Sequence, residues 1–249
     1  MPVHFPLRLV SSRMLAPSVR HFVFVRDDGE ALDFLPGQFV QVHFNYADGK
    51  ATKRSYSIAT VREGETDRDT PLEVAVSYVA GGSATALFET LSEGDRIEAS
   101  GPFGRFCLLP ADTNRRYLLV ATGTGVTPYR AMLPELKRQI AERGIEVVLL
   151  FGARTKTELL YGDEFAAFAD STPGFRFVPC YSRELPAIAR ADDRRGYVQD
   201  ALAEFAPNAE TDIAYLCGNP NMVDAAFEVL KAAGLPVPHV RREKYVSSK

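Results

Sequence analysis

From residue 117 onward the chain alternates short, almost wholly apolar runs with stretches of helical length, and this alternation restricts its architecture more than any other feature. Residues 117–121, 146–152, 175–181 and 212–217 read as strands, and residues 128–143, 162–170, 198–205 and 220–233 as helices. A strand that is apolar on both faces must be covered on both, as in parallel sheets flanked by helices. Right-handed crossovers then gather the loops that follow the strands along one sheet edge, where ligands bind in such folds.

The residues before 112 follow a different pattern. Short runs rich in Val, Phe and Ile recur at 20–25, 39–44, 56–59, 72–78 and 96–99. Turn chemistry separates them at Asp27-Asp28-Gly29, Pro36-Gly37, Asp48-Gly49 and Glu93-Gly94-Asp95. One helical stretch, 84–91, interrupts the series. Strands at this spacing predict an antiparallel barrel or sandwich. The expected division is therefore a β domain over 1–112 and an α/β domain over 113–249, with no internal repeat.

Composition excludes several function classes. A formal net charge of −3 lacks the basic excess of a nucleic-acid binder. No apolar run approaches the ~20 residues of a membrane span, and the first residues lack the regions of a signal peptide. The expectation is a cytoplasmic protein, monomeric, with no membrane or nucleic-acid partner. The three cysteines, Cys107, Cys180 and Cys217, are far apart, so neither a zinc framework nor a four-thiolate iron–sulfur site is expected, and no metal. A one-electron centre would then be an organic cofactor or lie on another protein.

Chemistry first enters at Arg54-Ser55-Tyr56-Ser57. A guanidinium pairs with phosphate through a planar fork. Two residues on along a strand, a tyrosine shares the arginine's face and can lie against a planar ring. An ordinary strand with an exposed arginine is the competing reading. Gly81-Gly82-Ser83-Ala84-Thr85 opens a helix; glycines admit a ligand close to the backbone, and first-turn N–H groups attract an anion. Ser83 or Thr85 can add a hydroxyl, although Ser83 also suits a plain N-cap. Gly101-Pro102-Phe103-Gly104 is, on its own, a tight turn.

In the second half, Gly123-Thr124-Gly125-Val126-Thr127-Pro128 follows an apolar strand and opens a helix, with Pro128 suited to the first turn. It is not the full dinucleotide fingerprint, but its glycine turn and helix N-terminus suit a pyrophosphate in the same way. Cys217-Gly218-Asn219-Pro220-Asn221-Met222 ends another apolar strand, where a cysteine is ordinarily a small buried residue. Basic residues after the later strands favour a ribose 2′-phosphate over a free diol. Arg154, Ser182-Arg183-Glu184 and Arg195-Gly196-Tyr197 supply them, although each arginine singly is compatible with a solvated surface charge.

Arg-x-Tyr-Ser, then Gly-Gly before a helix, Gly-Pro-x-Gly, Gly-Thr-Gly-x-x-Pro and Cys-Gly-x-Pro-x-Met, in that order, resemble the ferredoxin–NADP⁺ reductase family. The resemblance runs from Arg54 to Tyr245. It implies an N-terminal antiparallel β-barrel that binds FAD and a Rossmann-like parallel-sheet domain that binds NADP(H). By this resemblance Arg54 contacts the FAD pyrophosphate, Tyr56 stacks on the isoalloxazine, and Ser57 approaches flavin N5. Ser55, Gly81, Gly82, Ser83, Thr85 and Tyr245 complete the FAD set. Gly123, Thr124, Gly125, Pro128, Arg154, Ser182, Arg183, Arg195, Tyr197, Gly218 and Asn219 form the NADP set. The family's basic residue before the glycines is missing from Val76-Ser77-Tyr78.

Catalytic roles are expected for Ser57, for Cys217 as a packing and aligning residue, for Glu243 in proton handling or charge, and for Tyr245. Many members end in an aromatic residue that covers the flavin. Tyr245 has four residues after it, so either it or the tail beyond would return toward the flavin. The implied activity is electron transfer between NADP(H) and ferredoxin or flavodoxin, because flavin exchanges hydride with one partner and single electrons with another. An NAD(P)H:flavin reductase and the reductase component of an oxygenase with a separate iron–sulfur protein are the enzymatic alternatives. A nucleotide- or flavin-binding sensor and a purely structural protein are the non-catalytic ones.

Overall fold

The computed structural model describes residues 3–62 and 70–246, and it opens on a strand that the sequence does not predict, β1 (Val3–Ala16). Phe5, Leu7 and Leu9 alternate into the core, while the polar Ser11-Ser12-Arg13 stretch masks the pattern just beyond. The register with the next strand slips between Leu9 and Ser11, so the irregular sequence coincides with an irregular ladder.

β2 (Val19–Arg26), β3 (Phe39–Asn45), β4 (Ala51–Ser57), β5 (Leu72–Ser77), helix α1 (Ser83–Thr90) and β6 (Arg96–Phe103) follow. The strands lie in the order β4-β3-β6-β1-β2-β5, and every pairing is antiparallel. The two edges are joined where Ile58 bridges Val74 and the Ala59 N–H donates to the Glu73 carbonyl at 2.7 Å. Thr60 completes the seam, donating to Pro71 O at 3.0 Å and accepting from the Glu73 N–H at 2.8 Å. The sheet is a closed barrel, not a sandwich. Phe5, Phe22, Phe24, Val40, Ile58 and Val74 fill it, and Phe88 of α1 packs on Phe22 with ring centroids 5.0 Å apart.

The fourth strand begins earlier than the expected 56–59. A tight hairpin, with Tyr46 N–H bonded to Lys50 O and Gly49 N–H to Tyr46 O, returns the chain to β3 by Ala51. Cross-strand pairing carries the polar Thr52-Lys53-Arg54-Ser55 as a strand, and Ile58-Ala59 belong to the closing seam instead.

The remaining elements are β7 (Arg116–Thr122), a 3-10 turn (Gly123–Val126), α2 (Thr127–Arg143), β8 (Glu146–Ala153), α3 (Gly162–Ser171) and β9 (Phe175–Tyr181). After them come β10 (Arg194–Arg195), α4 (Val198–Glu204), β11 (Asp212–Gly218), α5 (Pro220–Ala232) and β12 (Val240–Lys244). The strand order is β10-β9-β8-β7-β11-β12, parallel throughout. Leu118, Val120, Leu150, Val178 and Leu216 pack against Leu202, Val223 and Leu230 of the covering helices. β12 is a further strand that the sequence does not predict, because in Val240-Arg241-Arg242-Glu243-Lys244 only Val240 is buried. One compact unit holds the described residues through Leu108 with Thr127–Pro134; the other holds Leu109–Val126 with Glu135–Val246. Among the described residues no helix is long and apolar enough to cross a membrane.

At the N-terminal edge of the parallel sheet, Asp212 is fully buried. It accepts from Arg116 Nε at 3.0 Å and Nη2 at 2.5 Å, from the Asn208 N–H at 2.8 Å, and from Thr211 Oγ1 at 2.9 Å. The fork ties β7 to β11. Arg116→Met strands a buried carboxylate without its cation and should lower stability to urea by about 3 kcal/mol. A urea midpoint equal to that of the unsubstituted protein would show that the backbone ladder alone holds this edge.

Candidate functional site

The pleat of β4 turns Thr52, Arg54 and Tyr56 to one face, while Ser55 and Ser57 alternate to the other, Ser55 exposed and Ser57 buried. Arg54 is held rather than loose. Its Nη1 donates to Thr52 Oγ1 at 3.1 Å and Lys53 O at 2.9 Å, and its Nη2 to Tyr46 Oη at 3.1 Å. The guanidinium also lies 5.9 Å from the Phe44 ring centroid and 5.8 Å from that of Tyr46. Tyr56 sets its ring edge-on to Phe88, 5.2 Å between centroids, which joins the arginine strand to α1. Burial pushes the Tyr56 phenol up, opposed by Arg54, so it stays protonated at neutral pH.

The N-cap of α1 is Gly82, and no side chain caps its first turn. Ser83 therefore stands in the first turn and is not the cap. Gly81 has φ +72° with open space beside it, whereas a methyl on Gly82 would stand 3.0 Å from Val79 O. Thr85 builds this turn, since its buried hydroxyl oxygen accepts the Val79 N–H at 2.8 Å. The third motif reaches Ser57 through Phe39, which pairs with both Ser57 and Phe103 and stacks on the Phe103 ring at 5.7 Å. A Cβ on Gly104 would meet the Phe39 ring at 3.0 Å.

In the α/β unit the two glycines of Gly123-Thr124-Gly125 do different work. Gly123 has φ +55° and nothing within 4 Å of its missing Cβ, an open turn at a helix start. A methyl on Gly125 would lie 2.3 Å from the Cys217 carbonyl oxygen and 2.6 Å from Gly218 Cα, so that glycine admits the backbone of β11. Pro128 sits in the first turn of α2 as expected. Asn219 caps α5, its Oδ1 accepting the N–H of Asn221 at 2.9 Å and of Met222 at 3.4 Å. Its own N–H donates to Thr122 Oγ1 at 3.1 Å.

Cys217 is fully buried opposite Glu243 of β12. Burial first, then the Glu243 charge, raise its thiol well above the ordinary value, against a lowering hydrogen bond with Tyr245. Tyr245 is tied back by its N–H to Gly218 O at 2.8 Å. Cys217, Glu243 and Tyr245 thus share one end of the sheet, and the thiol there is neutral.

The expected 2′-phosphate residues also meet. The Ala153 carbonyl accepts the Ser182 N–H at 3.0 Å, and the Arg154 carbonyl accepts those of Arg183 and Glu184 at 3.1 and 3.3 Å. Arg195 pairs with Tyr181, and the Gly196 N–H donates to Tyr181 O at 2.9 Å, which brings up Tyr197, 61% exposed. All five residues lie at the edge where the strands end.

Two family models match the chain: an oxidoreductase FAD-binding domain over residues 6–107 and an oxidoreductase NAD-binding domain over 119–228. The ferredoxin–NADP reductase B of Sorangium cellulosum is 36% identical over 248 residues, 97% of each chain. The chain belongs to the ferredoxin–NADP⁺ reductase family. It is a flavoprotein oxidoreductase that binds FAD and a pyridine nucleotide. The reductase subunit of an Amycolatopsis aromatic O-demethylase is 35% identical over 87% of this chain, which spans 62% of that relative. A solved Amycolatopsis cytochrome P450 reductase superposes with a TM-score of 0.83 at 32% identity, over 98% of this chain and 70% of its own. A Neisseria gonorrhoeae ferredoxin NADP⁺ reductase, solved with FAD and NADP, shares the fold: TM-score 0.79, 22% identity, and 97% and 98% of the two chains covered.

The residues present fit a flavin dinucleotide. An oriented guanidinium, an uncapped helix start behind an open glycine, and a protonated tyrosine ring on the same strand face match pyrophosphate and planar ring. Sequence reasoning missed Tyr46 and Thr52, which orient Arg54, because residues 45–53 read as a turn. The signal for Thr52 was the period of two that it shares with Arg54 and Tyr56. It missed Glu158 as well, which pairs with Arg154. If Arg54 holds the pyrophosphate, Arg54→Ala should weaken FAD retention by about 1.5–3 kcal/mol, the worth of a charged hydrogen bond. Tyr46→Phe, which removes only an orienting hydroxyl, should cost about 1 kcal/mol. Equilibrium dialysis of FAD measures both, and unchanged affinity in Arg54→Ala would move the phosphate site elsewhere.

Proposed function

We propose that this reductase carries electrons between NADP(H) and a one-electron protein carrier, ferredoxin or flavodoxin, as a cytoplasmic monomer. In this reading residues 1–112 hold FAD and residues 113–249 hold the nucleotide. The observation that carries the reading is the match along 97% of both chains to a relative named as a ferredoxin–NADP reductase. Bound FAD supplies the exchange of a hydride for single electrons. The chain supplies position: Arg54 and the first turn of α1 grip the FAD phosphates, Tyr56 supports the ring system, and Ser57 offers a hydroxyl at its edge. The Gly123 turn and the start of α2 take the nucleotide pyrophosphate. Arg183, Arg195 and Ser182 read the 2′-phosphate, and Tyr197 offers a ring to the adenine. Cys217, neutral and buried, fills space beside the nicotinamide without competing as a nucleophile.

A second reading has its own support, since the O-demethylase reductase subunit is nearly as similar to this chain. The three separated cysteines leave no four-thiolate cluster within these 249 residues, so an oxygenase would be reached through a separate iron–sulfur protein. Anaerobic NADPH oxidation by the holoenzyme, with ferredoxin, flavodoxin, the separate iron–sulfur protein of an oxygenase or free FMN as acceptor, separates the readings. Rapid reduction of ferredoxin or flavodoxin is expected; turnover with free FMN alone would make the chain a flavin reductase.

The contact of Tyr245 with Cys217 motivates a further expectation. If the tyrosine occupies the place that the nicotinamide needs, only the open fraction of molecules binds productively, and apparent affinity falls by that fraction. Tyr245→Ser should then bind NADP⁺ several-fold more tightly and shift the flavin absorption bands. Unaltered binding and spectrum would make Tyr245 a strand-end anchor only. Ser247, Ser248 and Lys249 lie outside the described residues.

A further inference from the structure

The cationic edge of the parallel sheet is not uniformly cationic. After β8 the chain passes Arg154, turns through Lys156–Glu158 in a 3-10 turn, and brings the Glu158 carboxylate back onto the Arg154 guanidinium. Glu158 Oε2 accepts from Arg154 Nε and Oε1 lies on Nη2, both at 2.6 Å, a fork-to-fork pair. Arg194 is likewise matched, by Glu204 at 3.3 Å. Arg183 and Arg195 have no acidic partner among the described residues. Four arginines thus stand near the three strand ends, and only two present uncompensated charge. Two further carboxylates stand close by: Glu184, beside Arg183 in sequence and hydrogen-bonded through its N–H to Arg154 O, and Asp200, whose Oδ2 would lie 3.9 Å from a Cβ on Gly196.

A ribose 2′-phosphate and a ribose 2′-hydroxyl make opposite demands on such an edge. The phosphate dianion gains from each unopposed cation and loses next to a carboxylate. A free hydroxyl gains little from a guanidinium and donates well to a carboxylate, which is why acidic residues mark the diol-binding form of this site. An arginine with its fork closed on a glutamate offers the phosphate a neutral pair, and the same glutamate offers the hydroxyl an acceptor.

We propose that Glu158 is a specificity-setting residue that neutralises Arg154, so that discrimination for NADPH rests on Arg183 and Arg195 while NADH remains a usable donor. This rests on the NADP(H) reading above. The test compares 2′,5′-ADP with 5′-AMP, which differ by the phosphate alone, binding to the FAD-loaded enzyme by calorimetry. Glu158→Gln removes the charge at constant size and should raise the ratio of the 5′-AMP Kd to the 2′,5′-ADP Kd by about three- to tenfold at low salt. The gain should shrink at about 0.5 M salt, where a merely structural effect would persist. Arg183→Ala should lower the ratio in both backgrounds. Steady-state kcat/KM for NADPH over NADH should move in the same direction as the binding ratio. A Glu158→Gln ratio that is unchanged overturns the inference. One that falls does so too, and makes Glu158 a brace that aims Arg154 at the phosphate. A wild-type ratio near one would instead overturn the NADP(H) reading and this inference with it.

Discussion

A backbone approach too close for any side chain organises the α/β unit. Gly125 meets the Cys217 carbonyl where a methyl would stand at 2.3 Å, and Gly218, at φ +130°, meets Thr122 O where a methyl would stand at 2.5 Å. The turn after β7 and the end of β11 therefore interlock through two glycines, each admitting the other's main chain. Asn219 extends the lock through its N–H to Thr122, and Tyr245 joins it through Gly218. Everything proposed for the nicotinamide end of the site hangs on this contact. An alanine at either glycine would push apart the two loops that present the Gly123 turn and Cys217.

The polar chemistry is divided between the two sheet edges. At the N-terminal edge Asp212 is buried with every oxygen engaged, and its partners are chain groups only. A saturated buried carboxylate of that kind is an anchor. At the C-terminal edge Arg154, Arg183 and Arg195 are exposed, and Arg183 and Arg195 lack carboxylate partners among the described residues. An exposed cation held near other cations by backbone hydrogen bonds is poorly explained by stability, because surface pairs contribute little. Anion binding does explain it. The barrel repeats the contrast, with Glu73 and Thr60 engaged at the closing seam and Arg54 held open by Tyr46 and Thr52.

Continuous apolar runs made the parallel strands legible, because a run such as residues 117–121 is compatible with little but a sheet covered on both faces. β1 and β12 escaped for a related reason. Both depend on partners for their character: β12 has one buried residue and takes its order from β11, and β1 bulges where its polar stretch falls. The site residues were legible as motifs and less so as geometry. Gly125 reads as a ligand-facing glycine but packs on protein, the competing reading of Ser83 as a cap fails because it stands in the first turn, and Ser55 sits on the face away from Arg54 and Tyr56. The Arg154–Glu158 pair was invisible, since a spacing of four residues implies contact only on a helix, and here a 3-10 turn creates it.

The state of Cys217 bears on what kind of catalyst this is. Burial and the Glu243 charge both oppose a thiolate, and the hydrogen bond with Tyr245 does not reverse them. A sulfur kept neutral cannot attack, yet it occupies a fully enclosed place at the strand end where the two glycine turns meet. A smaller side chain there would leave a void in a close-packed interior. Cysteine suits the position by volume and neutrality, not by reactivity. The same holds across the proposed site: arginines, amides and rings arranged to hold two cofactors, with the electron chemistry left to the flavin and the nicotinamide.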